Sequence, residues 1–260
     1  MNIVLLGSGN VATHLSKALD HARHNILQIW SREKAHAKTL ADEFGVPYTD
    51  TLDDLDRNAD LYIISVVDDA ISELIGRLAA LDDVPDGTFV HTSGSTSIDV
   101  FRESFANYGV FYPLQTFSKT KEVDFRDTPV LLEASDIFQL DLLKKIAFSI
   151  SDRVEVATSA QRKSLHVAAV FACNFTNHLY SIAQQLLEDN DLDFDLIRPL
   201  IKETADKIQI HSPMEVQTGP AIRGDLSILK DHMKFLDDSK EWQEIYKLLS
   251  DRLVALSTQK

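Results

Sequence analysis

The run Gly7-Ser8-Gly9-Asn10-Val11-Ala12 has the spacing G-x-G-x-x-A, and it separates a five-residue apolar stretch, Asn2 to Leu6, from an amphipathic one. That context distinguishes a phosphate-binding turn from a chance pair of glycines. Gly7 permits a tight turn, Gly9 lacks the Cβ that would hold a pyrophosphate off the backbone, and Ala12 lets helix and strand approach closely. Ser8 completes the turn, and the helix N-terminus at Asn10 and Val11 offers N–H groups to an anion. The expected ligand is a dinucleotide. Where such sites take an unphosphorylated ribose, the second strand ends in Asp or Glu, which accepts hydrogen bonds from the 2′-hydroxyl. Here it ends Ile29-Trp30-Ser31-Arg32. A carboxylate would repel a 2′-phosphate, whereas the Ser31 hydroxyl and the Arg32 guanidinium can both hydrogen-bond one, so the expected cofactor is NADP(H). The competing reading makes Ser31 a helix cap and Arg32 solvated surface.

Two further strand ends belong beside a dinucleotide crevice. One is Val66-Val67, followed by Asp68 as an expected helix cap; the other is Thr92-Ser93-Gly94, following His91. Hydride transfer to or from C=O or C=N also needs a proton source and groups that polarise the acceptor. His166 is the candidate acid/base, because it borders an apolar run where an imidazole would meet a dry pocket. Its alternative is a satisfied core histidine. Gln115, the second catalytic candidate, and Thr116 follow a strand and a proline and are placed to hydrogen-bond the acceptor. Asn174 and Asn177 follow His166 by eight and eleven residues, on one side of an ideal helix at ~12 and ~16 Å along its axis. They are candidate substrate contacts, with bonding to neighbouring backbone as the alternative. Arg223, in a glycine-flanked loop, could hold a substrate carboxylate or make a salt bridge, and Asp225 is a good N-cap for the next helix. No His/Cys/Glu cluster has metal-ligand spacing, so no metal is expected.

These residues need a scaffold. Up to about residue 157, short Ile- and Val-rich runs alternate with amphipathic stretches, as in a mostly parallel sheet covered on both faces. The expected strands are Asn2 to Leu6, Ile26 to Trp30, Leu61 to Val67, Thr88 to Thr92, Val110 to Tyr112, Val130 to Glu133 and Val154 to Val156. Beyond them only helical patterns remain: Ser159 to Glu188, then Phe194 to Ile210, Leu226 to Leu236 and Lys240 to Leu256. The chain therefore reads as α/β, with a Rossmann-like domain over 1–157 and an all-α domain over 158–260. Val167 to Cys173 is apolar on every face of its helix and demands burial, in part against a second copy of the chain, so a homodimer through the helical domain is expected.

Composition sets the outer limits. The formal charge of −14 opposes binding to nucleic acid, and 25% charged residues with no ~20-residue apolar run oppose a membrane span. A lone cysteine, Cys173, cannot form an internal disulfide, and the opening residues lack a basic n-region, which together point to the cytoplasm.

With the glycine loop, Ser31-Arg32, His91 to Gly94, Tyr112 to Phe117, His166 to Phe175 and Thr218 to Asp225 taken together, the chain resembles a two-domain oxidoreductase family. In that family a Rossmann-like NADP domain precedes a helical domain of unassigned function. More distantly it is similar to pyrroline-5-carboxylate reductases, F420-dependent NADP reductases and β-hydroxyacid dehydrogenases, whose helical domains pack together in dimers and complete the active site. The resemblance implies hydride transfer with a small substrate held between the domains, and strengthens His166 as the acid/base. Two departures limit it. The Lys and Asn four residues apart in β-hydroxyacid dehydrogenases become Lys163 and Val167 here, and Tyr112 stands where many nearer members have His, so Tyr112 is expected to line the substrate pocket without transferring a proton. A chain that keeps the nucleotide site without that Lys/Asn pair could instead be a non-catalytic NADP(H) sensor.

Overall fold

The computed structural model describes residues 1–118 and 121–257; the last three residues of the helical domain expected over 158–260 lie outside them. The chain divides into two compact units, Met1–Cys173 and Asn174–Lys260. The first contains β1 (Asn2–Leu6), α1 (Asn10–His21), β2 (Asn25–Trp30), α2 (Lys34–Asp42), β3 (Tyr48–Thr49), β4 (Leu61–Ile64), α3 (Asp68–Ala79), β5 (Thr88–His91), β6 (Tyr108–Pro113), β7 (Val130–Ala134), α4 (Ile137–Ile150), β8 (Val154–Val156) and α5 (Ser159–Ala169). Their strands form one sheet in the order β3-β2-β1-β4-β5-β6-β7-β8. Neighbours run parallel except β6 and β7, which are antiparallel.

Alternation along the strands builds two cores. Ile3 and Leu5 of β1 face Leu15 and Leu19 of α1, while Val4 and Leu6 face the other way, into a cluster with Ile71, Leu74 and Leu78 of α3. Covering both faces is what makes a central parallel strand read as an unbroken apolar run. After β1, the chain winds through β2 and β3 on one side and then crosses to β4 on the other. This reversal opens a crevice at the carboxyl ends of β1 and β4, the place where open α/β sheets bind ligands.

Several details differ from the sequence-based elements. β4 stops at Ile64, not Val67, because Ser65–Val67 bend over the turn at Gly7: the Ser65 N–H still reaches the Leu6 carbonyl at 2.7 Å, but Val67 is already the N-cap of α3. Asp68 is therefore the first helical residue and not the cap. β3, only two residues long, carries no readable periodicity and exists because β2 offers an edge, the Ser31 N–H reaching the Thr49 carbonyl at 3.1 Å. The long helix expected over Ser159 to Glu188 is broken by a π-helical turn, Val170–Phe175, inside the apolar run. That run is not buried within the chain: Phe171 is 65% exposed and Cys173 is exposed. The one buried residue of α5 is Arg162 instead, so this helix docks through a polar contact. α5 lies in the first compact unit, Met1–Cys173.

The second unit comprises α6 (Thr176–Glu188), a 3₁₀ turn (Phe194–Leu196), α7 (Arg198–Lys207), α8 (Pro220–Arg223), α9 (Leu226–Phe235) and α10 (Lys240–Ser257). α8 packs with α9 and α10, and His232 of α9 and Tyr246 of α10 share a 2.7 Å hydrogen bond. Among the described residues of this unit, only Ala221 and Leu236 are buried apolar side chains. No described helix is long and apolar enough to cross a membrane.

Candidate active site

A groove follows the crevice. Its floor is Gly7, Ser8 and Gly9; one wall is Trp30, Ser31, Arg32, Glu33 and His36; the other is Ser65 to Val67 with the α3 stripe Ala70, Glu73, Leu74 and Arg77. Gly7 has φ +132°, and a Cβ there would sit 2.2 Å from the Ser65 carbonyl oxygen, so only glycine lets the two strand ends close this tightly. Around Gly9 there is nothing within 4 Å of an added Cβ, which leaves the backbone open to a ligand. α1 has no side-chain cap and no acidic residue in its first turn, whereas α4 is capped by Asp136 and α5 by a Thr158–Gln161 capping box. Its first N–H groups thus remain for an anion. Ser8 donates to Ser31 Oγ at 3.0 Å, tying the loop to the end of β2. Ser31 does not cap α2, whose N-cap is Glu33. Trp30 Nε1 is a buried donor with no acceptor among the described residues. Cradle, open helix end and orphaned donor all fit a bound dinucleotide.

Gly7, Ser8, Gly9, Ser31, Arg32, Val66 and Val67 thus come together. Sequence patterning left out Trp30, Glu33, His36 and the α3 residues, although the i, i+3, i+4, i+7 spacing of Ala70, Glu73, Leu74 and Arg77 would have grouped the last four once α3 was placed on the crevice. The other nucleotide candidates lie outside the groove lining. Asn10 donates to the Phe117 carbonyl at 3.0 Å, Val11 is half-buried, and Thr92 shares a 2.8 Å hydrogen bond with Ser65 behind the wall.

Ser93 and Gly94 instead belong to a second centre. Tyr112 Oη and His166 Nδ1 are 3.0 Å apart and share a hydrogen bond whose direction follows the imidazole tautomer. Gly94 fits against both rings: an added Cβ would lie 2.6 Å from His166 Nδ1 and 2.8 Å from Tyr112 Cζ. Burial raises the Tyr112 phenol above its ordinary pKa, the nearby Asp68 charge adds to this, and Arg162 opposes it. Arg162 is fully buried. It donates to the Ser93 carbonyl through Nε at 3.1 Å, to Glu133 Oε2 at 2.6 Å, to the Thr96 carbonyl and to Ser159 Oγ at 3.2 Å. This guanidinium pins the segment carrying Gly94 to α5, and so sets Gly94 against His166.

His91 lies beneath, fully buried, stacked on Phe101 at 5.6 Å, its Nδ1 accepting the Ser93 N–H at 3.2 Å. Burial, and then the Arg162 charge, push its pKa down to about 3, with the Ser97 carbonyl opposing them. Between that value and the unfolded one the folded chain binds fewer protons than the unfolded chain. Its contribution to stability is therefore complete above about pH 6.5 and is lost as the pH falls toward 3. Urea denaturation across this window is expected to show stability declining by up to ~1.4 kcal/mol per pH unit from this group. His91→Phe, which keeps a ring on Phe101, should flatten that slope; an unchanged slope would show that His91 is not its source.

The remaining candidates make local contacts. Gln115 Oε1 accepts from the Thr116 N–H at 2.8 Å and from its hydroxyl at 3.3 Å, an exposed turn closed on itself. Asn174 and Asn177 lie in the second unit, and the π-helical turn interrupts the 3.6-residue phasing that placed them on the side of His166. Asn177 lines a polar groove with Ser181, Gln184 and Arg198. Arg223 is held by Asp225, 2.9 Å from Nε and 2.8 Å from Nη2, so Asp225 serves this ion pair and makes no capping bond to α9. No group of His, Cys, Asp and Glu among the described residues could hold a metal.

Comparison with known proteins puts a family boundary between residues 114 and 128, ahead of the Cys173–Asn174 division of the structure. A Rossmann-like domain matches residues 1–114, and a domain of unknown function, DUF2520, matches residues 128–253. No curated protein matches. Among solved structures, a "putative NADP oxidoreductase" from Bacteroides fragilis is 44% identical over 98% of both chains, with a TM-score of 0.91. A reductive aminase from Aspergillus terreus in complex with NADPH and ethyl-5-oxohexanoate is 16% identical over 98% of this chain and 93% of its own, at a TM-score of 0.73. The expected likeness to pyrroline-5-carboxylate reductase is present in the fold, the Streptococcus pyogenes enzyme being 13% identical over 98% of both chains at a TM-score of 0.66. On the strength of its near-complete match to the Bacteroides protein, the chain belongs to the family of two-part oxidoreductases in which a Rossmann-like domain precedes DUF2520.

Proposed function

We propose that the protein is an NADP(H)-dependent oxidoreductase acting on a small C=O or C=N compound. The observation that carries this reading is the groove at the switch point: a glycine cradle under an open helix end, with Ser31 and Arg32, and no carboxylate, immediately after β2. Glu33, the nearest carboxylate, stands 3.5 Å from His36. The kinship to an NADP oxidoreductase and the NADPH held by the reductive aminase of the same fold support the choice of cofactor. When bound, the nicotinamide supplies or accepts the hydride. The chain's own part is to hold a proton: burial and Asp68 keep the Tyr112 phenol protonated, and His166 shares a hydrogen bond with it. His166 is the acid/base in this reading and Tyr112 lines the substrate pocket. Incubation of the full chain with NADPH and a panel of keto acids, aldehydes and cyclic imines is expected to give substrate-dependent loss of absorbance at the reduced nicotinamide band. Tight NADPH binding with no turnover on any of them would make the protein a non-catalytic NADP(H) sensor instead.

The working form in this reading is a homodimer through the helical part, in a reducing cytoplasm where Cys173 stays a thiol. Leu196, Leu200, Ile210, Phe235 and Leu248 are all exposed in a unit whose described residues include two buried apolar side chains, too small a core for its length. Light scattering at micromolar concentration is expected to give twice the 29.2 kDa chain mass. A persistent monomer would remove the dimer from the proposal.

A further inference from the structure

The nucleotide groove holds a second arginine that no strand-end pattern points to. Six of the eleven arginines in this sequence, Arg57, Arg102, Arg126, Arg162, Arg198 and Arg223, stand within 4.0 Å of a carboxylate. In a chain with a formal charge of −14 that is the expected fate of a guanidinium. Arg32 and Arg77 are among the exceptions, and both line the same groove from opposite walls. The carboxylates that share it consume neither. Glu33 stands by His36 at 3.5 Å, and Glu73, one helical turn before Arg77, makes no ion pair with it although i, i+4 spacing would allow one.

We propose that Arg77 is a specificity residue: with Arg32 it forms a two-armed clamp on the 2′-phosphate of NADP(H), one arm from the β2–α2 connection and one from α3. The proposal rests on the NADP(H) reading of the groove. A phosphate monoester carries close to two negative charges at neutral pH and presents three acceptor oxygens, so a single guanidinium leaves both charge and acceptors unmet. An arm on α3 is positioned by a helix whose Leu74 and Leu78 are in the core, whereas Arg32 stands in an irregular segment. The rigid arm costs less ordering on binding than a second loop residue would.

Fluorescence titration of wild type, Arg32→Gln, Arg77→Gln and the double variant with NADPH, NADH, 2′-AMP and 5′-AMP tests this. Arg77→Gln is expected to weaken NADPH and 2′-AMP binding about 10- to 100-fold and NADH and 5′-AMP binding less than about 2-fold, as loss of a charge-assisted contact to the phosphate alone requires. Arg77→Lys, which keeps the charge and loses the fork, should fall between. Unchanged NADPH affinity in Arg77→Gln, with Arg32→Gln impaired, would leave Arg32 as the only arm and overturn the clamp while keeping the cofactor. Equal losses for NADPH and NADH would assign Arg77 to the adenine or the pyrophosphate and overturn it likewise. A wild-type chain that binds NADPH no more tightly than NADH would remove the cofactor reading and the clamp together. Arg77 is exposed, so the melting temperature of the variant should match wild type.

Discussion

Arg162→Met is expected to lower the stability of the chain by about 3–5 kcal/mol, the range for removing one partner of a buried ion pair. The guanidinium is fully buried and serves four acceptors on three separate elements: Ser93 and Thr96 after β5, Glu133 on β7, and Ser159 on its own helix. Methionine fills much of the volume but donates nothing. It would leave the Glu133 carboxylate, whose side chain is only 19% exposed, without its counter-charge, and two backbone carbonyls without a donor. Urea denaturation followed by circular dichroism should show a lower midpoint at unchanged slope. The double change Arg162→Met with Glu133→Gln removes the orphaned charge and should recover part of the loss. A loss below about 1 kcal/mol in the single variant would mean that water replaces the guanidinium at these acceptors. The loss should reach function too, since the segment that Arg162 pins carries Gly94 against Tyr112 and His166.

His166→Ala should lower turnover by about 10²- to 10⁴-fold, the usual span for removing a positioned acid/base group. NADPH affinity should stay within about 2-fold, because His166 does not line the nucleotide groove and, as the proposed acid/base, would act on the proton and not on the cofactor. Tyr112→Phe separates the two members of the pair. If Tyr112 only orients the imidazole and lines the pocket, its loss should cost clearly less than that of His166, and KM should rise with the fall in kcat. A Tyr112→Phe variant as impaired as His166→Ala would show the phenol to be the group that gives the proton. Full activity in His166→Ala would return this histidine to a packing role.

The nucleotide loop could be read from the chain because everything it needs is contiguous: a strand, two glycines and a helix end follow one another, and only the helix has to fold for the N–H groups to converge. Ser31 and Arg32 were legible for the same reason, standing directly at a strand end whose place in a βαβ unit is fixed by topology. The mostly parallel sheet was likewise visible as apolar runs separated by amphipathic ones. β3 was not, since two residues have no period and are a strand only because β2 offers them its edge.

What the tertiary structure alone decided are meetings between residues far apart in sequence. Arg77 reaches the groove of Gly9 only because the chain reverses after β3 and lays β4 beside β1; Tyr112 meets His166 across 54 positions, and Arg162 meets Ser93 across 69. Nothing in the local pattern around Arg162 marks it for burial, because a guanidinium is tolerated inside only where acceptors from other elements surround it. The apolar run at Val167 to Cys173 misled in the opposite direction. Hydrophobic patterning states that a surface must be covered but not by what, and within the single chain it is left exposed. The sequence by itself therefore determined the phosphate-binding turn, the sheet class and the residues at the second strand end, all products of local geometry. The partner arginine, the Tyr112–His166 pair and the buried guanidinium came from strand order and packing, which act across the whole chain.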